Sequence, residues 1–330
     1  MVRPSAEIRA NVIVTHPVNE EMRAAYLRHL SGAANVTFFA DLPDLDKASL
    51  LQVADVVSCS VLVKELSPEQ LAALGRVRFI QALTSGIEWM PFDKLPSATV
   101  VANNAGVSSP AIAEHGMALA LACAKHLLPN HQKLGTGVWG QQKPIRLLRN
   151  RVCGILGFGS IGRELGRLAG ALGMQVFALN RSGCSTDEPD FLGTLADLEH
   201  VLRSSDVLFV SAPLNSETKG LIGSRELKLM KPDAILVNVS RAQIIDERAL
   251  FEHLRTHSDF FAGLDVWWSE PWGGGEFRLS YPFFDLPNVI GSPHNSAMVE
   301  GFIVRRAEAA AENILHFLRG REPLNVRRAS

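Results

Sequence analysis

Three hundred and thirty residues exceed what one hydrophobic core usually organises, which predicts two domains. An apolar fraction of 47% with 20% charged residues excludes wholesale disorder. The 33 Lys and Arg against 34 Asp and Glu leave a net charge of -1, so no global basic field exists and nucleic acid is not an expected partner.

The four cysteines, Cys59, Cys123, Cys153 and Cys184, form no CxxC pair, which predicts reduced thiols without a metal site or disulfide framework. Residues 1–11 carry no apolar signal core. The most apolar long stretch, 111–128, contains Glu114, His115, Lys125 and His126, which suits a buried helix rather than a membrane span. A cytoplasmic protein with no membrane partner is expected.

In chain order, β-branched runs predict strands near 12–14, 36–39, 54–59, 78–83 and 99–102, with helices near 20–30 and 68–74. A long helix is expected at 109–128. Residues 129–150, punctuated by Pro129, Gly135, Gly137, Gly140 and Pro144, read as loop. Further strands fall near 152–156, 175–179, 206–211, 234–239, 261–266 and 288–291, separated by helices near 160–173, 194–204, 225–231 and 247–256. This alternation predicts an α/β protein of two doubly wound parallel-sheet domains with a cleft between them. A last helix at 299–319 would cross back to the first domain.

Residues 154–162 read GILGFGSIG, with Gly157, Gly159 and Gly162 in GxGxxG spacing between an apolar strand and a helical run. In that context the first glycine makes the tight turn, the second admits a pyrophosphate, and the third lets helix and strand pack closely. The loop (Gly157, Phe158, Gly159, Ser160, Ile161, Gly162) is therefore a candidate dinucleotide site. The next strand ends in Asn180-Arg181-Ser182 instead of the Asp or Glu that would meet the ribose hydroxyls. A guanidinium and a hydroxyl there suit a 2′-phosphate, so NADP is expected to be preferred, with NAD possible.

Ligands of open α/β sheets lie beyond the carboxyl ends of the strands. Three ionisable residues fall at that edge of the second sheet: Arg241 in VNVSRA, Glu270 in LDVWWSEP and His294 in GSPH. They suit hydride transfer to a 2-oxo acid. Arg241 offers a permanently charged fork to the carboxylate and can polarise the carbonyl. His294 can give a proton to the forming alkoxide, with Glu270 stabilising the imidazolium and fixing its ring.

With these residues the chain resembles the D-isomer-specific 2-hydroxyacid dehydrogenases over nearly its whole length. The resemblance is carried by TSGIEWMP (84–91), NNAGVSSPAIAEH (103–115), GILGFGSIG, VNVSRA (237–242), LDVWWSEP (264–271) and SPH (292–294). It implies that Arg241, Glu270 and His294 are catalytic, and that Ser85, Gly86 and Ile87 bind the substrate carboxylate through main-chain N–H groups. It also implies that Asp265 meets the nicotinamide carboxamide and that Ser160, Ile161, Pro213, Val239 and Ser240 touch the cofactor. The implied architecture is a Rossmann domain over 103–297 and a flavodoxin-like substrate domain from 1–102 and 298–330, paired as a homodimer through the Rossmann domain.

The implied activity is NADPH-dependent reduction of a 2-oxo acid to a D-2-hydroxyacid, with glyoxylate, hydroxypyruvate or a larger acid as substrate. The alternatives are oxidation of a small anion such as formate or phosphite, or a dinucleotide-sensing interaction protein resembling the C-terminal-binding-protein corepressors. Ala242 stands where the family commonly has Gly, so the backbone there should not need positive φ. Asn295-Ser296 departs from the family's small residues after the His.

Other residues read as structural. His115 is expected to pack, His126 and His131 to face solvent, and His253 and His257 to lie on an exposed helix face. Trp139, Trp267 and Trp268 are divided between pocket and core, and Cys153 reads as a small buried hydrophobe.

Overall fold

The computed structural model describes residues 9–87, 89–141, 144–271 and 275–327. Residues 1–8 of the N-terminal segment, Glu88 of TSGIEWMP, and 142–143 of the expected 129–150 loop lie outside the described residues. The chain divides into two compact units, Met1–Val107 with Glu300–Ser330 (unit 1) and Ser108–Val299 (unit 2).

The first part of unit 1 runs β1 (Ala10–Val14), α1 (Glu20–Leu30), β2 (Ala34–Phe38), α2 (Asp44–Gln52), β3 (Val56–Cys59), α3 (Leu62–Glu65), α4 (Pro68–Ala72), β4 (Phe79–Ala82) and β5 (Val100–Ala102). Unit 2 opens with α5 (Ser109–Ala124), α6 (Leu127–Gly135), β6 (Val152–Leu156), α7 (Ser160–Ala171), β7 (Gln175–Leu179), β8 (Phe191–Gly193) and α8 (Leu198–Ser204). It continues through β9 (Val207–Val210), α9 (Ser224–Leu229), β10 (Ile235–Asn238), α10 (Glu247–Thr256), β11 (Phe261–Leu264) and β12 (Val289–Gly291). The chain then completes unit 1 with α11 (Phe302–Leu318) and β13 (Val326–Arg327).

In unit 1 the strand order is β13-β5-β4-β3-β1-β2, parallel throughout except for β13 against β5. The 2-1-3-4-5 core of that order is flavodoxin-like. One face is closed by α1 and α11. Ala307, Ala310, Ala311 and Ile314 recur at helical spacing and bury fully with Tyr26 and Leu30. The other face buries Leu51, Leu62 and Ile80.

Unit 2 holds seven strands in the order β12-β11-β10-β9-β6-β7-β8, with every pair parallel. This is the doubly wound Rossmann order, and the strand sequence reverses between β6 and β9. Short β-branched strands buried on both faces form the middle layer. One side packs Cys153, Ile155 and Leu165, and the other packs Leu208, Leu236 and Leu250.

Several local expectations are corrected. The long helix ends at Ala124, because His126 adopts a left-handed conformation (φ 49°), and residues to Gly135 form α6 instead of loop. Pro129 is the third residue of α6, where its missing N–H has no intrahelical acceptor to lose. His126 stacks on Phe261 at 4.7 Å instead of simply facing solvent. His253 is buried, stacked on His257 at 4.1 Å and edge-on to Phe260 at 4.6 Å. Burial, then the neighbouring His257, pushes its pKa down to about 4. Among the described residues no helix is long and apolar enough to cross a membrane.

Candidate active site

The glycine loop follows β6 at the point of strand reversal. Gly157 has φ +102°, and a Cβ there would lie 2.4 Å from the main-chain nitrogen of Ala212. A Cβ on Gly162 would lie 2.3 Å from the Gly157 carbonyl oxygen, so both positions are closed to any side chain. Gly159 differs: nothing lies within 4 Å of its ideal Cβ. It is the N-cap of α7 and offers no capping side chain, which leaves the first N–H groups of the helix without a partner among the described residues. Two glycines required by packing and one facing open space make a cradle that fits a pyrophosphate.

Beyond β7, the Asn180 side chain organises the next loop. Its Oδ1 accepts from the N–H groups of Ser182 (3.1 Å) and Gly183 (2.7 Å), and its Nδ2 donates to the Cys184 carbonyl (2.8 Å). Arg181 is exposed and has no anionic partner among the described residues. Pro213 lies past β9, with its carbonyl accepting from Thr218 Oγ1 at 2.7 Å. After β10, Asn238 Oδ1 accepts from Ser240 N (3.0 Å) and Ser240 Oγ (2.9 Å), while Nδ2 donates to the Arg241 carbonyl (3.0 Å). Val239 and Ser240 are buried, and Arg241 Nη1 donates to the Ser240 carbonyl at 2.8 Å. Ala242 is absent from the residues with positive φ, as its side chain requires.

His294 and Glu270 come together after β12 and β11. His294 Nδ1 lies 2.9 Å and 3.0 Å from the two carboxylate oxygens of Glu270. A carboxylate only accepts, so Nδ1 carries a proton, and Nε2 is the ring nitrogen on the side away from Glu270. Glu270 is itself fixed by the Trp267 N–H, which donates to Oε1 at 2.9 Å. His294 holds a left-handed backbone (φ 51°), pinned by donation from its own N–H to the Asp265 carbonyl at 2.8 Å. A cavity of about 520 Å³ opens beside this pair, walled by Trp267, Phe277 and Phe284.

Asp265 is fully buried. Its carboxylate accepts from Ser292 Oγ (2.6 Å) and from the N–H groups of Asn295 and Ser296 (3.2 Å each). The contacts after the His therefore run through main-chain groups, which makes the side chains of Asn295 and Ser296 immaterial to them. His115, for which the sequence suggests packing with a hinge or interface role as the alternative, is half-buried, and its Nε2 lies 2.8 Å from Ser292 Oγ and 3.6 Å from Asp265 Oδ1. No local signal in the sequence ties it to a serine 177 residues away. Trp267 is buried against the cavity, Trp268 stacks on Phe283, and Trp139 is 78% exposed. Among the described residues no cluster of His, Cys, Asp and Glu is arranged to hold a metal.

Ser85, Gly86 and Ile87 belong to unit 1, in the loop after β4. Their carbonyls are engaged: Asn103 Nδ2 donates to Ser85 at 2.5 Å, Thr84 Oγ1 to Gly86 at 2.7 Å, and the Met90 N–H to Ile87 at 2.9 Å. Their N–H groups, with that of Thr84, have no acceptor among the described residues. N–H groups without acceptors keep their capacity to receive an anion.

A glycine cradle and a carboxylate-held imidazole at one sheet edge are the equipment of a dinucleotide-dependent dehydrogenase. A family model described as "D-isomer specific 2-hydroxyacid dehydrogenase, NAD binding domain" matches residues 117–296. Glyoxylate reductase of Aeropyrum pernix is 32% identical over 276 residues, 81% of each chain. Hydroxypyruvate reductase of Thermotoga maritima is 30% identical over 77% of this chain and 82% of its own. The crystal structure of TT0316 protein from Thermus thermophilus is 29% identical and superposes with a TM-score of 0.73, covering 96% of this chain and all (100%) of that one. The chain belongs to the D-isomer-specific 2-hydroxyacid dehydrogenases, and its cofactor is a nicotinamide dinucleotide.

Proposed function

We propose that the protein is a cytoplasmic, NADPH-preferring reductase that converts glyoxylate, hydroxypyruvate or a larger 2-oxo acid to the D-2-hydroxyacid. The observation that carries this reading is the Glu270–His294 pair, 2.9 Å apart beside an open cavity. The relatives from Aeropyrum pernix and Thermotoga maritima, a glyoxylate and a hydroxypyruvate reductase, support the substrate class.

The cradle of Gly157, Phe158, Gly159, Ser160, Ile161 and Gly162 holds the pyrophosphate, with Pro213, Val239 and Ser240 along the cofactor. The cofactor supplies the hydride. Ser85, Gly86 and Ile87 bind the substrate carboxylate through their N–H groups together with the Arg241 guanidinium, which also polarises the carbonyl. His294 donates the Nε2 proton to the oxygen as it becomes an alkoxide, while Glu270 holds the ring and stabilises the cation. Asp265, tied to Ser292, Asn295 and Ser296, keeps the His294 loop in position; its link to the nicotinamide carboxamide belongs to the same reading.

Arg181 and Ser182, exposed and anchored on Asn180, suit the 2′-phosphate of NADP. A homodimer belongs to the same reading, and Leu127, Leu134, Trp139, Ile145 and Leu147 are exposed apolar side chains that such an interface could cover.

The test is oxidation of NADPH and NADH against a panel running from glyoxylate and hydroxypyruvate to phenylpyruvate. The expected result is turnover faster with NADPH. Cofactor binding without turnover on any acid would contradict the reading and favour a sensor.

A further inference from the structure

Unit 1 carries a guanidinium, that of Arg306, with no ion pair among the described residues. Arg306 lies one turn into α11, with its guanidinium carbon 4.9 Å over the ring of Phe302. Its Nε donates to the Leu83 carbonyl at 2.8 Å. Its own carbonyl accepts from Asn104 Nδ2 at 3.0 Å. Asn104 Oδ1 in turn accepts from Gln81 Nε2 (3.0 Å), and Gln81 Oε1 accepts from Asn313 Nδ2 (2.7 Å). The Arg306 side chain is therefore tied to the residue after β4, and its backbone to Asn104 after β5, which Gln81 of β4 holds in turn. Its two Nη groups have no hydrogen bond or ion pair among the described residues, and both reach solvent.

Leu83, which fixes the guanidinium, immediately precedes the free N–H groups of 84–87. The loop after β3 makes an instructive contrast. There the N–H groups of Ser60 and Val61 donate to Glu65 Oε1 at 2.8 and 2.5 Å, and Thr15 Oγ1 donates to Oε2 at 2.6 Å. The first loop receives the Glu65 carboxylate, and beside the second the described residues set a guanidinium with no carboxylate partner. Burial pushes the Arg306 pKa down, a cost that an arriving anion would relieve. Among the described residues no carboxylate pairs with it. His16 Nδ1 donates to the Pro17 carbonyl (2.9 Å), and burial pushes the His16 pKa down, which favours a neutral ring whose Nε2 accepts from Tyr26 (3.1 Å).

We propose that Arg306 is a second charged member of the substrate-carboxylate site, pairing with the carboxylate that the N–H groups of 84–87 receive. This rests on the reading of that loop as the carboxylate site, and it adds a guanidinium from unit 1 to that of Arg241. A planar fork held by a ring and a carbonyl is preorganised for a carboxylate, whereas an ammonium would not be.

The test uses the full chain with saturating reduced cofactor. Oxamate, an unreactive mimic of a 2-oxo acid, is titrated calorimetrically into the wild type, Arg306→Gln and Arg306→Lys. Steady-state constants are then measured on glyoxylate and on its uncharged methyl ester. Arg306→Gln should weaken oxamate binding and raise KM for glyoxylate by about tenfold to a hundredfold. Its kcat should stay within about twofold and its KM for the methyl ester should match wild type, because only uniform binding of the charge is lost. Arg306→Lys, which keeps the charge, should recover part of the loss.

Equal oxamate affinity in wild type and Arg306→Gln, no oxamate binding by the wild type, or a matching rise in KM for the ester would overturn the proposal. Arg306-dependent oxamate binding in a protein that reduces none of the acids would sink the reductase reading and leave this site standing. Glyoxylate reduction indifferent to Arg306 would do the reverse.

Discussion

The carboxyl edges of the two sheets are built on opposite plans. In unit 2 the polar side chains at the strand ends find partners within the chain: Glu270 holds His294, and Asp265 collects Ser292, Asn295 and Ser296. In unit 1 the loop after β4 leaves four N–H groups without acceptors among the described residues, next to a guanidinium without an anion. A partnered imidazole has a fixed tautomer and orientation, which proton transfer needs. Unpartnered donors keep their hydrogen-bonding capacity for a ligand. The first plan suits proton transfer, and the second suits an arriving anion.

Perturbing each edge should therefore produce different kinds of loss. The largest is expected on the partnered edge: His294→Ala should lower kcat by about 10²–10⁴-fold with cofactor affinity retained, as read by turnover and by fluorescence titration of the reduced cofactor. Gly157→Ala drives a Cβ into the Ala212 backbone at a positive φ, and should cost about 3 kcal/mol or more in denaturant unfolding. Arg181→Ala, which removes an unpartnered donor, should raise KM for NADPH by about tenfold to a hundredfold and barely change that for NADH. Equal changes would remove the 2′-phosphate assignment.

The smallest effect is a pH dependence away from either edge. His253 has a folded pKa of about 4, below its unfolded value, so the unfolded chain binds the extra proton between the two. Its contribution is present near neutral pH and is lost as pH falls from about 6.5 towards 4, worth roughly 2 kcal/mol. Unfolding midpoints of wild type and His253→Phe should diverge over that window; parallel curves would contradict the burial argument.

Much of unit 2 was legible because its requirements are local. The strands 152–156 and 175–179 and the helix 247–256 stand where β-branched runs and an amphipathic period put them. Gly157 and Gly162 show why the glycine spacing carries meaning: backbone at 2.4 and 2.3 Å excludes every other residue. What stayed hidden depends on distance in sequence. His115 meets Ser292, Arg306 meets Leu83, and His253 is buried by Phe260 and the stacked His257; none of these contacts has a periodicity. The helix α6 escaped because Pro129 reads as a breaker until its place in the first turn is known. The strands β8 and β13, three and two residues long, are too short to carry an alternation.

The proposed role of His294 is tested by steady-state oxidation of NADPH on glyoxylate and hydroxypyruvate by the wild type and by His294→Ala side by side. Turnover by the wild type and a collapse of kcat in the variant, which still binds cofactor, is the expected result. Turnover that survives in His294→Ala would remove His294 as the proton donor.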